Sequence, residues 1–406
     1  MSEPNVVILL IVIATAVAMI TRRIPIPYTA ALVVTGIGLG ALHLVDPPHL
    51  TRDLLFAVFL PGLVFEAAFH LPYVELRRNA RAIIALAVPG VVLTIAITAV
   101  ILVAVRPLLG DGSAMTWRQA LVFAAIVAAT DPIAVVALVR SLGAPPRLSL
   151  LLEAESLLND GTAIVFFGLV LATTSGAAAS GVSVTIDFFR IVGLGALVGL
   201  AVGAAASQMV HVVNDAMIEI TLTVIAAYGS FVIADQIGGS GVIATVVAGV
   251  ICGNYGATSG MSATTRASAQ SFWDYVAFLL NSIVFLLMGF EVRLPSLAAQ
   301  ALLIVLAVAA GWVARGVLVS AVALSVMRTS ERIPRTWVTP LVWGGLRGGL
   351  SMVLALSLPT DFVGRELVIT ATFGLVVVSI LLQGTTMAAL LRRLRLTSND
   401  QIDDRR

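Results

Sequence analysis

The chain has 406 residues, of which 59% are hydrophobic and 11% are charged, and its mean hydropathy is +1.05. A water-soluble domain is about half apolar and about one quarter charged, so this composition excludes an ordinary soluble protein. The formal net charge of +2 says little about partners, because basic residues in membrane proteins chiefly report topology, and we expect no nucleic acid partner.

Apolar runs of about 20 residues, the length at which a helix crosses a bilayer, recur along the whole chain. About 13 such spans are predicted, with short loops between them. Their cores lie near 5–20, 28–45, 54–70, 80–105, 117–139, 148–174, 187–210, 216–235, 240–253, 271–290, 297–325, 337–357 and 366–390. The sequence therefore predicts an all-α integral membrane protein, with one transmembrane domain over 1–395 and a short polar tail over 396–406.

The arginines indicate how the spans are oriented. Glu3 precedes the first span and Arg22 and Arg23 follow it, which is the reverse of the charge order of a cleavable signal peptide. The odd-numbered connections carry most of the remaining arginines outside the spans, such as the group at 77–81. Because arginine-rich connections stay in the cytoplasm, we expect a multi-pass protein of the cell membrane with its amino end outside and its carboxyl end cytoplasmic.

Spans 5 and 12 are each interrupted by residues that end a helix. Span 5 contains Thr130-Asp131-Pro132, where proline lacks a backbone donor and disfavours helical geometry at the residue before it. Span 12 contains Pro340 and the glycine-rich run 344–349, which includes Arg347. The two spans run in opposite directions, and paired interrupted helices in inverted halves are typical of a transporter's midplane ion site. The alternative is that the glycines only allow close helix packing.

Span 6 carries a concentration of polar side chains that is unusual for a membrane helix. Glu153, Glu155, Ser156, Asn159 and Asp160 lie close together in it, and an ionised carboxylate costs roughly 2.5–3.5 kcal/mol at the centre of such a helix. Ser156 and Asp160 are four residues apart and therefore share one face. This face needs polar partners from other spans, so we do not expect the helix to face lipid alone.

Other spans offer few polar partners for this helix: Glu66, Thr130, Asp131, Arg315 and Arg347. Hard monovalent cations prefer oxygen ligands, which carboxylates, hydroxyls and the carbonyls freed at the break after Thr130 supply. A proton and a metal ion then compete for the same carboxylate oxygens, and such competition coupled to alternating access suffices for ion exchange. The predicted ion- and proton-binding residues are Glu66, Thr130, Asp131, Ser156 and Asp160.

Two of these acids also have structural interpretations. Glu155 is favoured as one half of a buried ion pair with Arg315 over a role as ion ligand. Asp131 is either a ligand or a cap at the amino end of the second half of span 5. The histidines lie near the membrane interfaces and show no spacing typical of metal ligands: His43, His49, His70 and His211.

Four motifs resemble the cation/proton antiporter-1 family, the NhaP-type sodium/proton exchangers. They are Leu60–Phe69, Ala129–Pro132, Glu155–Gly161 and Gly344–Gly348, and they occur in order over nearly the whole chain. The resemblance implies a homodimer of two-part subunits. In each subunit a dimerisation domain, near 1–75 and 187–290, holds a moving core, near 80–175 and 297–390.

The resemblance also implies roles for individual residues. It makes Asp160 the site of Na⁺ or proton binding, makes Glu155 and Arg315 a structural salt bridge, and leaves the role of Arg347 open. The Na⁺ ligands that it implies are Glu66, Thr130, Ser156 and Asp160, with Asp131 nearby. Related electrogenic antiporters carry two adjacent aspartates where this chain has Asn159-Asp160, together with a lysine, and this chain contains no lysine. The resemblance therefore points to electroneutral exchange of one Na⁺ or Li⁺ for one H⁺.

Other functions remain as alternatives, of which exchange of K⁺ for H⁺ is the closest. A passive cation channel is a second. An intramembrane protease is a third, but no histidine follows the serine of Gly239-Ser240-Gly241, and an Asp131–Asp160 dyad lacks the expected Gly-x-Gly-Asp setting. We therefore expect a transporter and not an enzyme, with no cofactor, acting on a monovalent cation and H⁺ in the lipid bilayer.

Overall fold

The computed structural model describes residues 3–23, 26–42, 54–110, 113–131, 133–174, 181–213 and 215–397. Over these ranges the chain forms helices and no strand. Pro132, at the predicted break in span 5, lies outside the described residues, as do His43, His49 and most of the tail predicted over 396–406.

The helices follow in chain order. The first nine are α1 (Glu3–Thr21), α2 (Tyr28–Ala41), α3 (Leu60–His70), α4 (Tyr73–Arg78), α5 (Ala80–Ala87), α6 (Pro89–Ala104), α7 (Trp117–Ile126), α8 (Ile133–Ser141) and α9 (Pro146–Thr174). The next five are α10 (Gly181–Val212), α11 (Ala216–Gln236), α12 (Gly241–Ile251), α13 (Ala263–Phe290) and α14 (Leu294–Ala299). The last five are α15 (Ala301–Ser325), α16 (Arg335–Trp343), α17 (Gly349–Leu356), α18 (Arg365–Val378) and α19 (Gly384–Arg393). Wider π-helical turns occur at Leu55–Phe59, Cys252–Gly260 and Ser379–Gln383, and a 3-10 turn at Arg106–Leu108.

The helices match the predicted spans. Within the described residues, 8 helical segments are long and apolar enough to cross a membrane. Three shorter apolar helices are Ile8–Thr21, Tyr28–Ala41 and Leu55–His70. The pairs α7–α8 and α16–α17 supply the two interrupted spans. Together these segments correspond one to one with the predicted spans, so the predicted all-α membrane fold is confirmed.

Both predicted breaks are confirmed. The amino end of α7 is fixed by a capping box in which the Gln119 side chain accepts the backbone N–H of Thr116 at 2.7 Å. The helix then ends at Ile126, before the non-helical residues 129–131. In span 12, α16 ends at Trp343, and the following glycines start no helix until Gly349, because glycine loses the most backbone freedom when it becomes helical.

The chain divides by its internal contacts into two compact units. The first consists of 1–52, 81–159 and 282–406, and it contains both interrupted spans. The second consists of 53–80 and 160–281, and it contains α3, α10, α11 and α12. The boundary falls inside the continuous helix α9, between Asn159 and Asp160. The division into a moving core and a dimerisation domain that the resemblance implies remains a prediction.

The second unit has an aromatic core that fixes α3 against α13. Phe65 and Phe69 on α3 are buried, and the fully buried Trp273 on α13 lies with its ring centroid 4.7 Å from that of Phe65. The indole N–H of Trp273 donates to the hydroxyl of Thr223 on α11 at 2.9 Å, so this large side chain buries its polar group with a partner, as buried tryptophans usually do.

Candidate ion site at the interrupted helices

The two interrupted spans meet through their backbones. The N–H group of Asp131 donates a hydrogen bond of 2.7 Å to the carbonyl oxygen of Leu346. A helix that ends inside a membrane leaves backbone groups without helical partners, and water is not there to replace them. This contact satisfies one such group from each break, so a main-chain hydrogen bond joins the two spans where they cross.

Arg347 places a positive charge at the crossing. Its Nη1 donates to the carbonyl oxygens of Ala128 at 2.6 Å and of Ala129 at 3.0 Å, just beyond the carboxyl end of α7, and the residue is buried. The carboxyl end of a helix carries partial negative charge, so the guanidinium stabilises the interrupted end of α7. The sequence left the role of Arg347 open because its partners are backbone atoms.

Ser379 and Gln383, which the sequence analysis missed, complete the break in span 12. The Ser379 hydroxyl accepts the backbone N–H of Arg347 at 3.0 Å and donates to the Gln383 side-chain oxygen at 2.6 Å. The Gln383 amide donates to the carbonyl oxygen of Trp343 at 2.9 Å. Both residues lie in the π-helical turn Ser379–Gln383, a feature often found at functional sites. The available signal was a pair of polar residues, four apart, on one face of an apolar segment.

Three polar side chains gather at the break in span 5. The Thr130 hydroxyl donates to the Ser156 hydroxyl at 3.2 Å, and the Ser156 hydroxyl donates to the carbonyl oxygen of Thr130. The Asn159 amide donates to the carbonyl oxygen of Ala128 at 3.2 Å and to the Thr130 hydroxyl at 3.3 Å. All three side chains are buried. Hydroxyl and carbonyl oxygens are the ligands that a hard monovalent cation prefers, so this cluster provides suitable chemistry for one.

The structure brings Glu155 and Arg315 together in a buried ion pair. Two guanidinium nitrogens donate to the two carboxylate oxygens at 2.6 and 2.7 Å, and the exposed fractions of the side chains are only 1% and 4%. Such two-fold contacts are the strong form of this interaction. Arg315 also donates to the carbonyl oxygen of Leu341 on α16 at 3.1 Å, and the Asn159 amide reaches Glu155 at 3.4 Å. The pair thus links α9, α15 and α16.

The five predicted ion-binding residues are divided between the two units. Thr130, Asp131 and Ser156 belong to the first unit, and Glu66 and Asp160 belong to the second. Asp160 follows Asn159 on α9 and lies one helical turn beyond Ser156, so the two side chains leave the same helix face. Participation of Glu66 and Asp160 in the same site remains a prediction.

His70 lies in a cluster of possible metal ligands that the spacing of the histidines in the sequence does not indicate. Its Nδ1 lies 3.3 Å from a carboxylate oxygen of Glu66, and its Nε2 lies 3.4 Å from a carboxylate oxygen of Asp274. Glu66 and His70 are four residues apart on α3, whereas Asp274 is on α13. Sequence spacing could not reveal a cluster that only the packing of α3 against α13 assembles.

The close approach of Gly348 to Asp131 gives a prediction about the crossing. A methyl group at position 348 would overlap the Asp131 side chain, and overpacking of this kind costs about 1–3 kcal/mol. We expect Gly348→Ala to lower the melting temperature of the purified protein. Gly316→Ala on α15 is the matched control, because a methyl group there meets no atom within 4 Å. Equal melting temperatures for the two variants would contradict the tight crossing.

The fold and this site together define a class of protein. A multi-span helical membrane protein, in which two interrupted spans meet beside buried oxygen ligands, has the architecture of a secondary transporter. The chain belongs to the family described as "Sodium/hydrogen exchanger, transmembrane", whose model matches residues 7–393. This family consists of transporters and not enzymes, and the resemblance seen in the sequence motifs is confirmed.

Individual relatives agree with this assignment. The chain is 38% identical to the Na(+)/H(+) antiporter ApNhaP of Aphanothece halophytica, over 91% of this chain and 70% of the relative. It is 34% identical to the Na(+)/H(+) antiporter NhaP of Pseudomonas aeruginosa, over 84% of this chain and 81% of the relative. Its fold is similar to that of the sodium proton antiporter MjNhaP1 of Methanocaldococcus jannaschii, with a TM-score of 0.78, 19% identity and coverage of 97% and 98% of the two chains.

Proposed function

We propose that this protein exchanges one Na⁺ or Li⁺ for one H⁺ across the cell membrane by alternating access, and that both ions compete for Asp160. The names of its relatives support Na⁺ and H⁺ as the transported ions. The observation that carries the proposal is the crossing of the two interrupted spans at the Asp131–Leu346 hydrogen bond. Beside it, Thr130 is hydrogen-bonded to Ser156, which lies one helical turn from Asp160 on α9.

The proposed chemistry uses oxygen ligands that replace the hydration shell of the cation. Asp160, Ser156, Thr130 and Glu66 are the proposed Na⁺ ligands, with Asp131 nearby. Na⁺ and a proton each neutralise the Asp160 carboxylate, so the binding of one excludes the other. Both loaded forms of the site carry the same net charge, because Na⁺ and H⁺ each add one positive charge. Asn159 is neutral and adds no carboxylate that could bind a second proton. A carrier that moves only in these two forms transfers no net charge.

The remaining parts of the proposal concern assembly and orientation. We propose a homodimer held by residues near 1–75 and 187–290, with the segments near 80–175 and 297–390 moving. The amino end is proposed to lie outside and the carboxyl end in the cytoplasm. Labelling of single cysteines introduced at Arg77 and at Arg293, after replacement of Cys252, tests the orientation, because these arginines lie in connections assigned to opposite sides. Labelling of both from the same side would contradict it.

Ion flux in proteoliposomes tests the proposed function directly. The purified protein is reconstituted with an internal pH-sensitive dye, and outward or inward gradients of Na⁺, Li⁺ and K⁺ are applied side by side. We expect a pH change with Na⁺ and Li⁺ and none in protein-free liposomes. A pH change with K⁺ but not with Na⁺ or Li⁺ would contradict Na⁺ as the transported cation and would support exchange of K⁺ for H⁺. A cation flux without any proton movement would support a channel instead.

The proposed one-for-one exchange predicts that flux is independent of the membrane potential. A potential of about 100 mV contributes about 2.3 kcal/mol for each net charge moved, which is enough to displace the final ion gradients by more than tenfold if a charge is carried. We expect the Na⁺-driven pH change to reach the same end point when a K⁺ ionophore sets the potential at zero or at about 100 mV. A shifted end point would contradict electroneutral exchange.

A further inference from the structure

A second cluster of possible ligands lies within the second unit. Glu66, His70 and Asp274 each offer one donor atom, and these atoms lie within 4.8 Å of one another. They form the one group of three or more such side chains found within the described residues. We propose that they form a binding site for a divalent transition-metal cation, of which Zn²⁺ fits the ligands best.

The imidazole of His70 is already oriented as a metal ligand. Its Nδ1 lies 2.9 Å from the backbone carbonyl oxygen of Glu66, so Nδ1 carries a hydrogen, and Nε2 is the nitrogen left to bind a metal ion, which displaces any proton on it. When a histidine binds a metal ion through one ring nitrogen, its other ring nitrogen usually donates a hydrogen bond to a carbonyl or carboxylate oxygen. Nε2 is also the nitrogen that faces Asp274, at 3.4 Å.

The distances and charges of the cluster suit a divalent ion. Ligands at about 2.1 Å from a tetrahedral Zn²⁺ are roughly 3.4 Å from one another. Nε2 of His70 lies 3.4 Å from a carboxylate oxygen of Asp274, and the three donor atoms of the cluster lie within 4.8 Å of one another. Two carboxylates and a neutral imidazole balance the charge of one divalent cation. An imidazole in the set favours Zn²⁺ over Mg²⁺ or Ca²⁺, which prefer oxygen ligands alone.

The scaffold holds these ligands in place through the residues beside them. Glu66 follows Phe65, His70 follows Phe69 and Asp274 follows Trp273, and these three aromatic residues form the buried core that joins α3 to α13. Ligands on packed helices keep their geometry better than ligands on loops. The side chains of Glu66 and His70 are partly buried, whereas that of Asp274 is 66% exposed, so an ion can enter past Asp274 and retain water as a fourth ligand.

Occupancy of this site is expected to suppress exchange. This part rests on the proposed function, in which Glu66 is a Na⁺ ligand, because a divalent ion bound by Glu66 withdraws that carboxylate from Na⁺. The binding site itself is independent of what the protein transports. Binding and inhibition are therefore measured separately.

Binding is tested with Co²⁺, which substitutes for Zn²⁺ and absorbs visible light when it has four ligands. The full-length protein is purified without a polyhistidine tag and titrated with Co²⁺, and then with Zn²⁺ as competitor and Mg²⁺ as selectivity control. We expect a saturable absorption band that Zn²⁺ removes and Mg²⁺ does not. The His70→Gln, Asp274→Asn double variant is expected to bind at least roughly tenfold more weakly.

The control for binding is the His211→Gln, Asp235→Asn double variant, which makes the same chemical changes at exposed positions of the second unit. It is expected to bind Co²⁺ like the unaltered protein. Absence of the band, or equal titrations for the His70–Asp274 variant and the control, would overturn the site. A folded state of each variant is verified by its melting temperature, so a loss of binding cannot be mistaken for unfolding.

Inhibition is tested in the same proteoliposomes used for ion flux. We expect Zn²⁺ to slow Na⁺-driven proton flux in the unaltered protein, and the Asp274→Asn variant to need at least roughly tenfold more Zn²⁺ for the same fractional effect on its own rate. Bound Co²⁺ without any effect of Zn²⁺ on flux would overturn the link to Glu66. Absence of flux before metal is added would overturn the proposed function, while the absorption titration still decides the site.

Discussion

Replacement of Asp160 by asparagine is expected to abolish Na⁺-driven proton flux. Asparagine has nearly the shape of aspartate, but it neither binds a proton nor neutralises a cation. Two opposite unit charges about 4 Å apart attract by roughly 4 kcal/mol at an effective dielectric constant of about 20, which is nearly three factors of ten in affinity. We therefore expect the flux measured in proteoliposomes to fall by at least about a hundredfold.

Asp235→Asn is the matched control for this loss, because it makes the same change at an exposed position on α11. It is expected to retain exchange. Both variants should elute as folded proteins and melt close to the unaltered protein, since Asp160 is proposed to serve the ion and not the fold. Normal flux from a correctly inserted Asp160→Asn protein would contradict the proposal that Na⁺ and H⁺ compete for Asp160.

Replacement of Glu155 by alanine is expected to destabilise the protein by about 3–5 kcal/mol, because Arg315 then remains buried with no carboxylate to compensate its charge. The geometry makes this loss large, since both side chains are almost fully buried and share two hydrogen bonds. We expect lower yield from membranes and a melting temperature lowered by several degrees.

Glu153→Ala provides the control for Glu155→Ala on the same helix. Glu153 pairs with Arg140, and the exposed fractions of the two side chains are 12% and 54%. Because Arg140 is open to solvent, it is not left as a buried unpaired charge, so the loss is expected to be smaller than for Glu155→Ala. A second variant separates the effect of charge from that of packing. Replacement of both Glu155 and Arg315 by methionine should recover much of the stability, because it leaves no buried charge without an opposite partner. An unchanged melting temperature for Glu155→Ala would contradict the structural role.

The sequence predicted the parts of this protein that local chemistry determines. Long apolar runs marked the spans, and Thr130-Asp131-Pro132 and the glycines after Trp343 marked the two breaks. Glu155 and Arg315 could be paired because charges buried in apolar spans need opposite partners. These predictions depend on apolar residues, helix-breaking residues and charges, whose preferences in a bilayer depend little on the residues packed around them.

The contacts that the sequence did not reveal depend on packing between distant segments. Arg347 donates hydrogen bonds to the carbonyl oxygens of residues 128 and 129. Every residue has a backbone carbonyl, so the sequence does not show which ones Arg347 contacts. Ser379 and Gln383 were overlooked because two neutral polar residues in an apolar span are common. Asp274 is separated from His70 by several helices, so their contact could not be read from spacing.

The positive group at the crossing also limits what the site can do. An arginine side chain does not give up its proton in a protein at any physiological pH, so Arg347 remains a permanent cation between α7 and the interrupted span 12. A lysine at such a position could release a proton and add a second titrating group to the cycle. With arginine there, a proton carried in the proposed exchange has to be carried by a carboxylate, and the hydrogen bonds from Arg347 to the carbonyl oxygens of residues 128 and 129 do not depend on a titrating donor.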